Sequence, residues 1–298
     1  MPEPNSQGPL VCRICGHRAS PAGALKGRYS GRLFHLARCP DCGYAFVTDP
    51  WLDYAEIYDD RYYAGQGADP LVDYRFELEH PELSVRNYEW SGIATVVAEL
   101  TGDRDPAKRW LDYGCGNGCL VRYLRDQRTA DAYGFDEGSI AGEAQAHGIP
   151  VVSDEELGSL EEAFDVVTAI EVIEHTIDPV VELRRMRRLL RPGGLLFVTT
   201  GNARPYADRL TSWRYLLPEI HVSLFEPRTL HRAFAAAGFR PELRPRSRGF
   251  DEILKFKVLK NLRIRQRSRL TDALPPGLVA PLADRVAKLS EHPVGWAL

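Results

Sequence analysis

The 298-residue sequence is as informative in what it lacks as in what it holds. No uninterrupted apolar run approaches the ~18 residues that a membrane-spanning helix needs. No charge of one sign dominates: 38 Lys and Arg stand against 41 Asp and Glu, a formal charge of −3. That balance argues against a nucleic-acid partner, which would need a local basic patch. The opening residues, MPEPNSQGPL, show neither the charged stretch nor the apolar core of a secretory leader, so a cytoplasmic location is the expectation. No internal repeat or low-complexity tract is evident. A reducing compartment disfavours disulfides, which leaves the six cysteines to be explained another way.

What is present has the balance of an ordinary globular chain, 44% hydrophobic and 27% charged. Residues 1–9 are Pro-rich and polar and read as disordered. Residues 10–48 hold four of the six cysteines but too few apolar residues for a core of their own. Residues 49–105 comprise a Tyr- and Asp-rich connector, WLDYAEIYDDRYYAG, and a helix over PELSVRNYEWSGIATVVAEL that ends at Thr101-Gly102. From 106 to 250 short apolar runs alternate with amphipathic stretches. RWLDYG, AYGFDE, IPVV, FDVVTAIEV and GLLFVTTG read as strands. NGCLVRYLRDQ, SIAGEAQAHG, DPVVELRRMRRLL and EPRTLHRAFAAAGF read as helices, with a further strand near Arg240–Arg244. This alternation predicts an α/β fold, a parallel sheet with helices on both faces. Residues 251–298 form a basic extension in which Lys255, Lys257, Lys260, Arg263, Arg265, Arg267 and Arg269 are interleaved with apolar residues. It reads as helical, its charged face either solvated or set against an anionic membrane.

Two C-x2-C knuckles stand out, Cys12-Arg-Ile-Cys15 and Cys39-Pro-Asp-Cys42, each followed by Gly. Two intervening residues let one tight turn aim both sulfurs at one ion, and four thiolates suit structural, tetrahedral Zn2+ in a zinc-ribbon-like module. A redox-active pair or disulfides are the alternatives, and His17 reads as a bystander. Further on, Asp112-Tyr113-Gly114-Cys115-Gly116-Asn117-Gly118 follows one expected strand and opens an expected helix. Glycines there permit a tight turn and close approach of backbone to a ligand. Asp136, at the end of the next strand, could accept both hydroxyls of a ribose; its alternative role is a helix N-cap.

The run D-x-G-x-G-x-G from Asp112 to Gly118 resembles motif I of class I S-adenosylmethionine-dependent methyltransferases. FDVVTAIEVIEHTIDP and LLRPGGLLFVTT are similar to the fourth-strand and fifth-strand segments of that family. The resemblance implies a Rossmann-like sheet of seven strands that binds S-adenosyl-L-methionine, with VGWAL as the remnant of a last, antiparallel strand. It assigns Asp112, Gly114, Cys115, Gly116 and Gly118 to the methionine end of the cofactor. Asp136 goes to the ribose, with Glu137 beside it, and Asp154 becomes a candidate near the adenine. Glu171 falls close to the cofactor as well. Cys115 and Cys119 read as small residues filling a tight turn.

Methyl transfer needs an acceptor in line and, for a hydroxyl, a group that removes its proton. Glu171, Glu174 and His175 form Glu-x-x-Glu-His at the end of the fourth-strand segment. In a helical turn these positions share a face and could converge on a divalent ion such as Mg2+. The pattern resembles the metal motif of ubiquinone-pathway O-methyltransferases and of small-RNA 2′-O-methyltransferases, where a downstream His completes the site; His221 is the matching candidate. It also resembles many metal-free methyltransferases, in which His175 would position a loop or act as base. The knuckles and the connector YDDRYYAG look like a bacterial group acting on sugars, glycans and natural products. There Tyr58, Tyr62 and Tyr63 would line an acceptor pocket or pack between modules. The expected activity is O-methylation of a small-molecule or saccharide hydroxyl. The alternatives are sugar C-methylation, RNA methylation by a zinc-headed enzyme, and a non-catalytic cofactor-binding subunit.

Overall fold

The structure is a computed structural model that describes residues 9–67, 73–102, 108–128, 130–242, 248–275, 278 and 296–297. The chain begins with three strands, β1 (Ser20–Lys26), β2 (Leu33–Arg38) and β3 (Ala45–Val47). Three short helices follow, α1 (Tyr54–Ile57), α2 (Asp60–Tyr63) and α3 (Tyr74–Glu79). Each is started by an aspartate, Asp53, Asp59 or Asp73, whose carboxylate accepts a backbone N–H of the first turn. The long helix α4 (Asn87–Thr101) ends at Gly102, whose φ of 66° turns the chain out of the helix. It starts later than its apolar spacing suggests. Leu83 and Val85 instead exchange backbone hydrogen bonds with Arg267 and Arg265, and the Ser84 hydroxyl accepts from Arg86 N.

Strand and helix then alternate as expected: β4 (Arg109–Tyr113), α5 (Cys119–Arg128), β5 (Asp131–Phe135), α6 (Ile140–Ala146), α7 (Asp154–Gly158) and β6 (Phe164–Ile170). After them come α8 (Pro179–Leu189), β7 (Leu190–Gly201), β8 (Ser223–Leu224), α9 (Pro227–Ala236), α10 (Arg248–Asn261), α11 (Arg269–Ala273) and β9 (Trp296–Ala297). The main sheet has the order β5-β4-β6-β7-β9, parallel except for β9. The α/β expectation holds, and the VGWAL stretch supplies an antiparallel strand against Thr200–Gly201. IPVV makes only a single bridge, Val151 to Gly134. Residues 240–242 carry no strand, and the rest of the strand expected near Arg240–Arg244 lies outside the described residues, as do most of the stretch beyond Pro275 and residues 1–8. No helix among the described residues is long and apolar enough to cross a membrane.

The cysteine-rich segment solves its shortage of apolar residues by sharing a core. β1, β2 and β3 form an antiparallel sheet whose fourth strand is β8, from the far side of the sequence. Tyr44 is fully buried, its hydroxyl 2.6 Å from Ser223 Oγ, and its ring packs on Phe46 and Phe225. Cys12, Cys39 and Cys42 belong to the same buried cluster as Leu111, Phe164 and Val167 of the parallel sheet.

The basic extension does not present all its charge to solvent. Seven consecutive residues of α10, from Ile253 to Leu259, are buried, so that part of the helix is enclosed on every side, Lys255 and Lys257 included. Lys255 Nζ donates to Leu274 O at 2.9 Å and lies 4.0 Å from the centre of the Tyr88 ring. Arg263, Arg265 and Arg269 remain exposed. Two glycines allow α4 and α10 to pack closely. A Cβ on Gly92 would sit 2.5 Å from Gly249 O, and one on Gly249 would sit 2.6 Å from Gly92 O. Gly92→Val is therefore expected to lower stability by about 1–3 kcal/mol or more, read as an earlier urea midpoint. Gly142→Ala, where an added Cβ meets nothing within 4 Å, serves as the control and should leave the midpoint unchanged or raise it.

Candidate active site

A cavity of about 1550 Å³ opens at the carboxyl ends of β4, β5 and β6. This is where an open parallel sheet reverses its strand order and leaves a crevice. One half is built by the turn after β4. Gly114 has φ 77°, and a Cβ there would lie 2.5 Å from Val172 Cγ2, so only glycine fits the sharp turn. Gly114 N and Cys115 N both donate to Phe135 O, at 2.7 and 2.9 Å. A Cβ on Gly116 would meet the Tyr74 ring at 3.1 Å, because α3 lies across the loop. Asn117 Nδ2 fixes that cover, donating to Tyr74 O at 2.8 Å.

Asp112 and Asp136 face this half of the cavity. Asp112 is buried and accepts from Thr168 Oγ1 at 2.8 Å; burial pushes its pKa up to about 7 against the pull of that hydrogen bond. Asp136 accepts from Gly116 N (2.8 Å) and Gly138 N (2.7 Å). Burial raises its pKa too, tempered by these two N–H groups. Glu137 lines the cavity but its side chain is exposed, 3.6 Å from Arg185. Asp154 is not among the lining residues; it stands exposed on α7, paired with Arg185. Cys115 and Cys119 are buried, and desolvation holds both thiols above their ordinary pKa, in keeping with small apolar fillers.

The other half is built by the end of β6. Glu171 adopts φ 56°, a left-handed conformation uncommon for a side-chain-bearing residue. A single 3-10 turn, Ile173–His175, follows. Ligand atoms of Glu174, His175 and His221 all lie within 4.8 Å of one another. Each is held from behind. Glu174 accepts from Tyr215 Oη at 2.5 Å and Thr200 Oγ1 at 2.8 Å. His175 Nδ1 is 2.9 Å from Tyr58 Oη. His221 Nδ1 is 2.6 Å from Tyr215 O, so that nitrogen carries the proton and the lone pair sits on Nε2, while its ring stacks on Tyr215. Burial, with Glu171 adding repulsion, pushes the Glu174 carboxyl up to about 8.

Glu171 stands apart from that trio. Its Oε1 is 3.3 Å from Lys257 Nζ and accepts from Thr199 at 3.2 Å, while its Oε2 lies 2.9 Å from Tyr215 Oη, whose one proton it shares with Glu174. Burial would raise its pKa, but Lys257 and Tyr215 outweigh that and hold it below the usual carboxylate value. Tyr58, Tyr62 and Tyr63 all line the cavity, and Tyr62 and Tyr63 pack edge-to-face on each other. Sequence reasoning missed Lys257, Tyr215 and the Tyr58–His175 contact. The only available signal for Lys257 was its place amid apolar residues of an otherwise basic run.

In the cysteine module, Cys12 Sγ–Cys42 Sγ and Cys15 Sγ–Cys39 Sγ are both 3.5 Å, and all four sulfurs lie within 4.8 Å of one another. Gly16 and Gly43, with φ of 74° and 79°, turn the chain so that their N–H groups donate back to Cys12 O and Cys39 O. The Cys12 thiol is pulled down to about 5, chiefly by hydrogen bonding from Cys42. Such a donor set can enclose a tetrahedral ion. His17 lies outside it, exposed beside Asp41 at 3.7 Å.

A family model described as a methyltransferase domain matches residues 85–243, more than half of the sequence. The chain belongs to the methyltransferase-domain family. Among curated relatives, a ubiquinone biosynthesis O-methyltransferase of Aeromonas salmonicida is 32% identical over 149 residues, 44% of this chain and 62% of the relative. The enzyme of that name from Rhizobium etli is 33% identical over 146 residues, 44% and 59% of the two chains. That of Pseudomonas fluorescens is 38% identical over 110 residues, 34% and 47%. This chain thus spans about half to three-fifths of the length of these relatives. Among solved structures, a cyclopropane synthase of Mycobacterium tuberculosis overlaps 67% of this chain and 78% of its own, with a TM-score of 0.44 and 17% identity. A methyltransferase of Aquifex aeolicus overlaps 56% and 89%, with a TM-score of 0.41 and 16% identity.

Membership of this family makes S-adenosylmethionine the expected cofactor, and the sequence resemblance assigns Asp136 to its ribose. Asp136→Ala is expected to weaken S-adenosylhomocysteine binding about tenfold or more in calorimetry, the scale of one or two lost charge-assisted hydrogen bonds. Unchanged affinity would remove Asp136 from the cofactor site.

Proposed function

We propose that this methyltransferase O-methylates a small-molecule or saccharide acceptor whose hydroxyl is held beside a divalent cation. The observation that carries the proposal is the convergence of Glu174, His175 and His221 at the mouth of the cofactor cavity, each braced by a second group. One carboxylate and two imidazoles suit a divalent ion, and the Nδ1–H of His221 bonded to a backbone carbonyl is the usual support of a metal-binding histidine. When bound there, Mg2+ would lower the pKa of an acceptor hydroxyl and fix its oxygen. The name of the curated relatives, O-methyltransferase, supports oxygen as the acceptor atom.

The chain's own residues account for the remaining work. The loop from Gly114 to Gly118 and Asp136 place the cofactor at one end of the cavity. Tyr215 and Thr200 hold Glu174 in one orientation, and Tyr58 does the same for His175. As a ligand His175 has no lone pair to spare, and with the hydroxyl pKa lowered the acceptor's proton would pass to solvent; only without the cation would His175 itself receive that proton. The half-buried and buried rings of Tyr58, Tyr62 and Tyr74 wall the cavity and keep water from the transferring methyl. Positioning of this kind is the larger share of catalysis for an already activated methyl group. We assign the four-cysteine cluster to structural Zn2+, because no ligand position is left open for chemistry, and we place the reaction in the cytoplasm.

Two outcomes follow. After mild chelation that leaves the cysteine-bound metal in place, turnover of a catechol or vicinal-diol acceptor should fall at least about tenfold and return with Mg2+. His221→Ala should abolish that return. Turnover indifferent to Mg2+ would contradict the cation and leave His175 acting alone as base. Cys12→Ser should lower zinc content below one per chain and lower Tm, since the knuckles share the core of the parallel sheet. A variant that is zinc-free, as stable as the parent and inactive would contradict a structural role.

A further inference from the structure

The resemblance in sequence implies four cation ligands, Glu171, Glu174, His175 and His221. We infer that Lys257 withholds Glu171 from the cation site, so that the ion is bound through Glu174, His175 and His221 alone. This rests on the proposed cation-assisted reaction and adds a residue from outside the family-matched span of 85–243.

The argument is one of charge and placement. Lys257 enters from α10, is buried, and lies between two carboxylates, 3.1 Å from Glu89 Oε1 and 3.3 Å from Glu171 Oε1. Glu89 is itself held by Arg86 at 3.0 Å. An ammonium so enclosed cannot leave one carboxylate without leaving an uncompensated charge in the interior. Both oxygens of Glu171 are already engaged, one with Lys257 and Thr199, the other with Tyr215. Glu174, three residues on, is engaged only by the hydroxyls of Tyr215 and Thr200. A hydroxyl donor leaves lone pairs of a carboxyl group open to an ion, which would displace any proton held there, whereas an ammonium neutralises the carboxylate it pairs with. The grouping of possible ligand atoms follows this division, with Glu174, His175 and His221 together and Glu171 outside. Lys257 is thus a positioning residue. It fixes Glu171, and Glu171 and Glu174 share the hydroxyl of Tyr215.

The test is titration of Mn2+ into the full-length, zinc-loaded chain, followed by calorimetry and by the Mn2+ electron paramagnetic resonance signal, with circular dichroism to check folding. The wild type should bind one Mn2+ outside the cysteine module. Glu171→Gln should change its affinity by less than about threefold, and Glu174→Gln should weaken it more than tenfold. Lys257→Met should tighten binding about tenfold or more, because it removes a nearby positive charge and releases Glu171 as a fourth ligand. The double variant Lys257→Met/Glu171→Gln should return affinity to the wild-type range. If Lys257→Met does not fold, Lys257→Gln, which can still hydrogen-bond to both carboxylates, takes its place with the same expected direction. Loss of Mn2+ binding in Glu171→Gln as large as in Glu174→Gln would overturn the inference while leaving the cation-assisted reaction standing. So would an unchanged or weaker affinity in the folded Lys257 variant. A wild type that binds no Mn2+ outside the cysteine module would overturn both.

Discussion

Five charged side chains, Arg86, Lys257, Glu77, Glu89 and Glu171, meet in the interior between α3, α4, α10 and the end of β6. Removing either cation, Arg86 or Lys257, would leave carboxylates without a partner in a low-dielectric place, a loss on the order of 3–5 kcal/mol. A buried network of this kind gives little net stability over an apolar core, but it permits few alternative arrangements. Here it fixes several things at once. Glu77 also accepts from Asn117 of the glycine loop at 3.3 Å, so α3 is tied to the loop it covers. Glu89 and Lys257 hold α10 against α4 where Gly92 and Gly249 meet. Glu171, at the other end, is the first residue after the strand that carries the candidate chemistry.

Sharing of structure is a second constraint, seen in the cysteine module. The cysteine knuckles could not bury themselves, and they are stabilised by resting on the core of the parallel sheet. β8 then joins their sheet immediately after His221, so the cysteine module and the segment carrying His221 are one piece of hydrogen-bonded backbone. Val222 N donates to Glu174 O at 2.9 Å, which draws the two halves of the candidate cation site together. The same strands also share a side-chain core with the segment around His221, in which Phe34, Leu36 and Val47 pack with Leu216, Val222 and Leu224.

Local features were legible in the sequence and long-range ones were not. The glycine loop, Asp112 and Asp136 were readable because turn geometry imposes residue types at fixed short spacing. The knuckles were readable for the same reason. Alternating apolar runs gave the parallel sheet, whereas the antiparallel Trp296–Ala297 strand was expected only through the family resemblance. By contrast, Lys255 and Lys257 read as part of a basic face, since composition does not say which face of a helix meets a partner. The pairing of β3 with β8 joins residues separated by some 180 positions, and no periodicity reports such a contact. Asp154 was a candidate through the family resemblance, but the capping box of Ser153 and Glu156 starts a helix there and Asp154 pairs with Arg185.

In the proposed reading the two halves of the cavity divide the work: backbone and carboxylates for the cofactor, imidazoles and a braced glutamate for the acceptor. The most direct test of this division is anomalous scattering from crystals grown with Mn2+ and S-adenosylhomocysteine. The account predicts a manganese peak bounded by Glu174, His175 and His221, with the homocysteine end of the cofactor at Gly114–Gly118. Full cofactor occupancy with no manganese among these three residues would contradict it.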